Sequence, residues 1–161
     1  MMQKSIVKIS NGLLEVIENI PEQFYTQPIP VLENKTIGMQ VRHVIEHWQI
    51  LFDNYENGII NYGDRNRDKS IETQKSIARS IIQQLQVRSN KVDKQLQIVS
   101  VDDNACFNST YYREIDVVTE HIIHHAAIIK VAVLSIEPAF VFPPEFGYAP
   151  ATISYKEQCA Q

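Results

Sequence analysis

The chain has 161 residues, 44% hydrophobic and 21% charged, a length and balance that fit one soluble domain able to bury its own core. Its formal charge of -4, with Lys and Arg scattered, gives no broad attraction for phosphate backbones and argues against a nucleic-acid partner. The N-terminus lacks the uninterrupted apolar core of a secretion signal, and the apolar run from Ala126 to Ile136 is broken by Lys130, so a cytoplasmic protein without a membrane span is expected.

The first segment, residues 3 to 20, places Ile6, Ile9, Leu13, Val16, Ile17 and Ile20 at helical spacing and stops at Pro21. The stretch to Lys35 holds Pro28 and Pro30 and is read as a long crossover loop. From Thr36 to about Gly58, Ile37, Val41, Val44, Trp48, Leu51, Phe52 and Tyr55 form one apolar stripe, with Gly58 as the C-terminal stop. Residues 59 to 69 read as a polar loop.

Ser70 is expected to cap a third helix reaching about Gln97, with Ile71, Ala78, Ile81, Ile82, Leu85, Val92 and Leu96 inward. The run Leu96 to Val101 could also pair as a strand with residues around Cys106 and Phe107. The fourth helix runs from about Ser109 to Ile136, with Ile115, Val118, Ile122, Ala126, Ile129, Val133 and Ile136 in register, and Pro138 ends it.

Four long amphipathic segments predict an all-α antiparallel four-helix bundle over about 3–137, within a single domain spanning 1–161. The tail, 138–161, is too aromatic for a disordered end and is expected to pack back on the bundle. Cys106 and Cys159 match no metal or redox spacing and are read as free thiols.

The five histidines fall in two groups, His43 with His47 and His121 with His124 and His125, each inside a predicted helix. Residues four apart share a helix face, so His121 and His125 can point two imidazoles at one spot. At 100° per residue the stripe of the fourth helix centres near Ile122 and Ile129. His121 and His125 lie along its edge, and His124 is turned away. His43 and His47 likewise flank the stripe of the second helix, where a groove between helices would have them. The alternative is a set of hydrogen-bonded, half-buried histidines with no ion. No glutamate lies between paired histidines, so the His-Glu-x-x-His zinc signature is absent.

The stretch Thr36-Ile37-Gly38-Met39-Gln40-Val41-Arg42-His43-Val44-Ile45-Glu46-His47, with His121-Ile122-Ile123-His124-His125-Ala126-Ala127-Ile128-Ile129, resembles the DinB/YfiT-like superfamily of metal-binding four-helix bundles. The resemblance covers most of the chain, including the helix order, the long crossover and the loop Asn61-Tyr62-Gly63-Asp64-Arg65-Asn66-Arg67-Asp68. The stretch Phe146-Gly147-Tyr148-Ala149-Pro150 is similar to a branch of that family, and this tail stands in place of the family's weak fifth helix. Carried over by position, the resemblance implies His43, His121 and His125 as ligands of a divalent ion, be it zinc, nickel or iron.

Three imidazoles on such an ion leave open positions, the mark of a catalytic site. Family members with an activity are thiol-dependent S-transferases and isomerases, which implies a small-molecule substrate and a low-molecular-weight thiol. A metal-dependent hydrolase is the alternative chemistry, and a non-enzymatic metal-binding or dimerisation module, a homodimer, the alternative class. His47 is the candidate catalytic acid or base, with Glu46 beside it; their plainer readings are a packing residue and a solvated carboxylate. Arg65 and Arg67 could hold an anionic group, the plainer reading being solvated pairs with Asp64 and Asp68.

Overall fold

The computed structural model describes residues 2–159. In chain order these form α1 (Met2–Asn19), α2 (Glu22–Thr26), a 3-10 turn (Pro30–Leu32), α3 (Ile37–Asp53), β1 (Ile59–Ile60), α4 (Lys69–Thr73), α5 (Lys75–Arg88), β2 (Gln95–Val99), β3 (Cys106–Thr110), α6 (Tyr111–Ile136) and α7 (Pro150–Cys159). The protein is predominantly helical, but a three-stranded sheet accompanies the helices, so a purely all-α reading is corrected.

α1 follows its periodicity. Ile6, Leu13, Val16, Ile17 and Ile20 are buried, and Ser10 on the same face donates to the Ile6 carbonyl at 2.7 Å, which satisfies a hydroxyl taken out of water. α3 starts where Thr36, at the expected start of the second helix, accepts from the Met39 amide at 3.0 Å and caps it. It ends at Asp53, earlier than expected, and Gly58 with φ of 77° serves the turn into β1.

The expected third helix is broken and shortened. Gln74, in extended backbone, separates α4 from α5, because α4 is pinned elsewhere: Asp68 caps it, Tyr25 donates to the Ile71 carbonyl at 2.7 Å, and Arg42 pairs with Glu72. At Gly38 the backbone of α3 lies so close to the Glu72 carbonyl that no side chain fits. α5 stops at Arg88 because Tyr111 takes the Ser89 carbonyl at 2.8 Å and Tyr55 takes that of Val92 at 2.9 Å. Val92 is 73% exposed, so its helical phase carried no information, and Leu96 is buried from a strand.

The hairpin forms in the expected place. β2 and β3 pair antiparallel from Gln95 with Thr110 to Val99 with Cys106, and Leu96 and Ile98 turn inward. β1, inside the expected polar loop, adds to β2 in parallel with Ile60 opposite Ile98, and Ile60 is wholly buried.

α6 is capped by Thr110 and ends at Ile136 before Pro138. By length and composition alone it could cross a membrane; in this fold Ile115, Val118, Ile122, Ile129 and Val133 are buried on it, and it packs on α1 and α3. α5 also packs on α1 and α3. Trp48, Phe52 and Tyr111 centre the core, with ring centroids 5.9 and 6.2 Å apart in succession.

The tail does fold back. Phe146 is buried, Lys130 donates to its carbonyl at 3.3 Å, and Gly147 with φ of 75° lies against Ala127 of α6. The tail also holds a helix, α7, where the sequence reading set the tail in place of a fifth helix. Between α1, α6 and this tail runs a groove of about 630 Å³, lined in part by Ile9, Gly12, Ile123, Phe146 and Ile153 and by none of the histidines. Both cysteines are exposed free thiols.

Candidate metal centre

α3 carries His43 and His47 one turn apart, and α6 carries His121 and His125 in the same way. Because α3 packs on α6, the four imidazoles meet. Ring centroids lie 4.8 Å apart for His43 and His121, 4.7 Å for His43 and His125, and 4.5 Å for His121 and His125. One ligand nitrogen from each of these three lies within 4.8 Å of the other two. A shared zinc ion with bonds of about 2.0–2.1 Å would bring them to roughly 3.4 Å, a shift that side-chain rotation supplies. His43, His121 and His125 can therefore hold one metal ion. His124 is exposed on the outer side of α6, as its angle on the helix required.

The hydrogen bonds around the cage fit that use. His125 donates from Nδ1 to the Gln40 side-chain oxygen at 2.8 Å, which leaves its Nε2 as a lone-pair donor. The Nε2 of His121 is buried and has no hydrogen-bond partner among the described residues. A buried polar atom left without a partner costs stability unless something binds there. Gln40 was not singled out from sequence, although its place three residues before His43 puts both on one helical face.

Burial, then the neighbouring histidines, pushes His43 and His121 down to about 3, with Arg65 and Arg42 adding to the effect at His43. Burial and then His124 and His47 push His125 down to about 4. All three are neutral imidazoles at neutral pH, the form that binds metal.

His47 stands beside the trio, its ring 4.4 Å from His43 and 4.1 Å from His121. Its Nδ1 donates to the His43 carbonyl at 3.0 Å, so Nε2 is free to accept a proton. Burial lowers its pKa, against the opposing effect of that hydrogen bond. Tyr62 stacks on its ring at 5.5 Å and donates to Glu114 at 2.8 Å. Glu114, 4% exposed, also accepts from Ser109 at 2.5 Å. Burial and then Glu114 raise the Tyr62 hydroxyl far above its ordinary value, so Tyr62 stays protonated.

Two expectations are corrected here. Glu46 is not a solvated carboxylate: it is 2% exposed and accepts from the Asp68 amide at 2.9 Å, with Arg42 Nε 3.9 Å from its second oxygen. Arg65 and Arg67 make no ion pair with Asp64 or Asp68 among the described residues; Asp68 caps α4, and the Arg65 guanidinium donates to Nδ1 of His43. Comparison of the chain with protein-family models, with curated proteins and with solved structures finds no match.

Proposed function

We propose that this protein is a divalent-metal protein of the DinB/YfiT-like kind, a four-helix bundle that transfers a small thiol onto a small-molecule electrophile. The bundle reading is supported by the closed ring of packing in which α1 and α3 each contact both α5 and α6. The metal reading is carried by one observation, the buried, unpartnered Nε2 of His121 within reach of two other neutral imidazoles. His43, His121 and His125 would hold the ion, and three protein ligands leave positions open for a reactant.

A bound divalent ion would supply Lewis acidity, lowering the pKa of a thiol that shares its open positions. The chain's own groups then have separate tasks. Gln40 fixes the ring of His125 through Nδ1, so its Nε2 keeps one direction. His47 takes the thiol proton at Nε2, the nitrogen its backbone hydrogen bond leaves free. Tyr62, locked by Glu114, covers the outer face of His47 and limits water there.

The test begins with protein purified without a histidine tag, analysed for metal and melted with and without chelator. Bound zinc, nickel or iron and a chelator-sensitive melting temperature are expected. The cobalt-substituted protein is then titrated with low-molecular-weight thiols, and intense charge-transfer absorption is expected. Metal-loaded protein with no thiol response would leave hydrolysis as the chemistry. Metal-free, chelator-indifferent protein would leave an interaction module.

A further inference from the structure

The loop 61–68 is held at both ends. At its start Ile60 pairs with Ile98 and Tyr62 donates to Glu114 at 2.8 Å, and at its end Glu46 accepts from the Asp68 amide at 2.9 Å. Glu46 is itself held by Arg42 on the same face of α3. Arg65 sits between these anchors and extends its half-buried guanidinium onto the histidine cage.

Its partner there is a poor one. A guanidinium presents a planar fork suited to two oxygens of one oxyanion, and a neutral ring nitrogen accepts only one bond and carries no charge. No carboxylate pairs with Arg65 among the described residues. The buried acids nearby are already engaged, Glu46 by Arg42 and the Asp68 amide, Glu114 by Tyr62 and Ser109. The three imidazoles add no negative charge, so an ion in the cage and Arg65 beside it form one strongly positive locus.

The contact with His43 also cannot persist once the cage is filled. A ring that accepts at Nδ1 carries its proton on Nε2, so His43 cannot accept from Arg65 and offer Nε2 to an ion together. If Nδ1 is the ligand atom, the competition is direct. Either way, loading the cage frees the guanidinium while the pinned loop keeps it within reach.

We infer that Arg65 binds the oxyanion of a small substrate, a carboxylate or a phosphate, beside the filled histidine cage; the inference rests on the metal reading above. Arg65 is thereby a specificity-determining residue, and anion binding is coupled to metal loading. The coupling runs both ways.

The test uses the full chain loaded with cobalt in anion-poor buffer, followed by visible absorption and calorimetry during titration with acetate or with inorganic phosphate. The wild type is expected to bind at least one of them, and the two arms show which oxyanion is preferred. Arg65→Gln should weaken that binding by roughly tenfold or more, the worth of a charge-assisted hydrogen bond. Its cobalt affinity should stay level or rise, because a cation beside the ion is gone; loss of a merely structural residue would lower it. Should Arg65→Gln lose its helical spectrum, Arg65→Lys decides, since it keeps the charge and loses the fork: acetate binding should fall relative to phosphate binding. Unchanged anion affinity in the substituted protein, or no anion response in the wild type, overturns the inference and leaves the metal site standing. Failure of the wild type to hold cobalt overturns both.

Discussion

Lowering the pH should destabilise the metal-free protein through its histidine cage, in a window that the ring environments define. Unfolded, each imidazole titrates near 6.5; folded, His43 and His121 titrate at about 3 and His125 at about 4. The folded values are the lower ones, so between them the unfolded chain binds more protons. Stability is therefore full above about pH 6.5 and declines as the pH falls toward the folded values. At pH 5.5 one such group costs up to about 1.4 kcal/mol, and three cost up to about 4 kcal/mol. His43 and His121 are only half-buried, so solvent screening reduces the sum to about 2 kcal/mol. The assay is urea denaturation with chelator present at pH 7.5 and at pH 5.5. His125→Gln should remove up to about a third of the difference, because His47 is lowered by burial as well, and His124→Gln should leave most of it, because the exposed His124 acts only on the folded values of His121 and His125. Equal stability at the two pH values, or the full difference persisting in His125→Gln, would refute a cage of neutral imidazoles.

The remaining expectations concern composition and packing of the site. Replacement of His43, His121 or His125 by Ala should each reduce bound zinc by about tenfold or more in metal analysis, whereas His124→Ala should match the wild type. Equal losses from all four would contradict the assignment of helix faces. Gln40→Ala should leave the fold intact and weaken zinc binding by about 10–100-fold in a competition titration, because the Nδ1 partner of His125 is gone; unchanged affinity would make Gln40 a bystander. Gly38→Ala should destabilise the protein by about 3 kcal/mol or more in denaturant, since its Cβ would collide with the Glu72 carbonyl and crowd the Tyr25 ring. A neutral result there would mean that α3 and α4 can separate without loss.

Periodicity was most informative where one face alone meets the core. α1, α3 and α6 were legible for that reason, as were the starts of α3 and α6 near Thr36 and Ser109 and the separation of His124 from His121 and His125. The third helix misled because Val92 and Leu96 continue its spacing by chance, while its true end is set by Tyr55 and Tyr111, residues distant in sequence that take its carbonyls. β1 was hidden for a related reason: two residues, Ile59 and Ile60, are too few to show alternation, and only pairing with β2 makes them a strand. At the site, ligand candidates were visible because helical spacing fixes them. Glu46, Tyr62, Glu114 and Arg65 were misread or missed because each takes its partner across the fold, from the loop, the hairpin or the other helix.

The distribution of unmet polar groups bears on why this region is built as it is. Among the described residues four buried side-chain atoms lack a hydrogen-bond partner: Arg42 Nε and Glu46 Oε2, which face each other only as an ion pair at 3.9 Å, Trp48 Nε1 and His121 Nε2. Three belong to one stretch of α3, residues 42 to 48, and the fourth faces that stretch from α6. A sequence selected only for stability would fill these positions with apolar side chains, which pack against one another without any desolvation loss. Instead, four imidazoles crowd together with a guanidinium where α3 and α6 pack on each other. Local rules of polar satisfaction are broken mainly where a chain must bind something. Among the described residues these atoms lie on the two stretches that carry the imidazoles able to hold an ion, and none of them lines the groove beneath the tail.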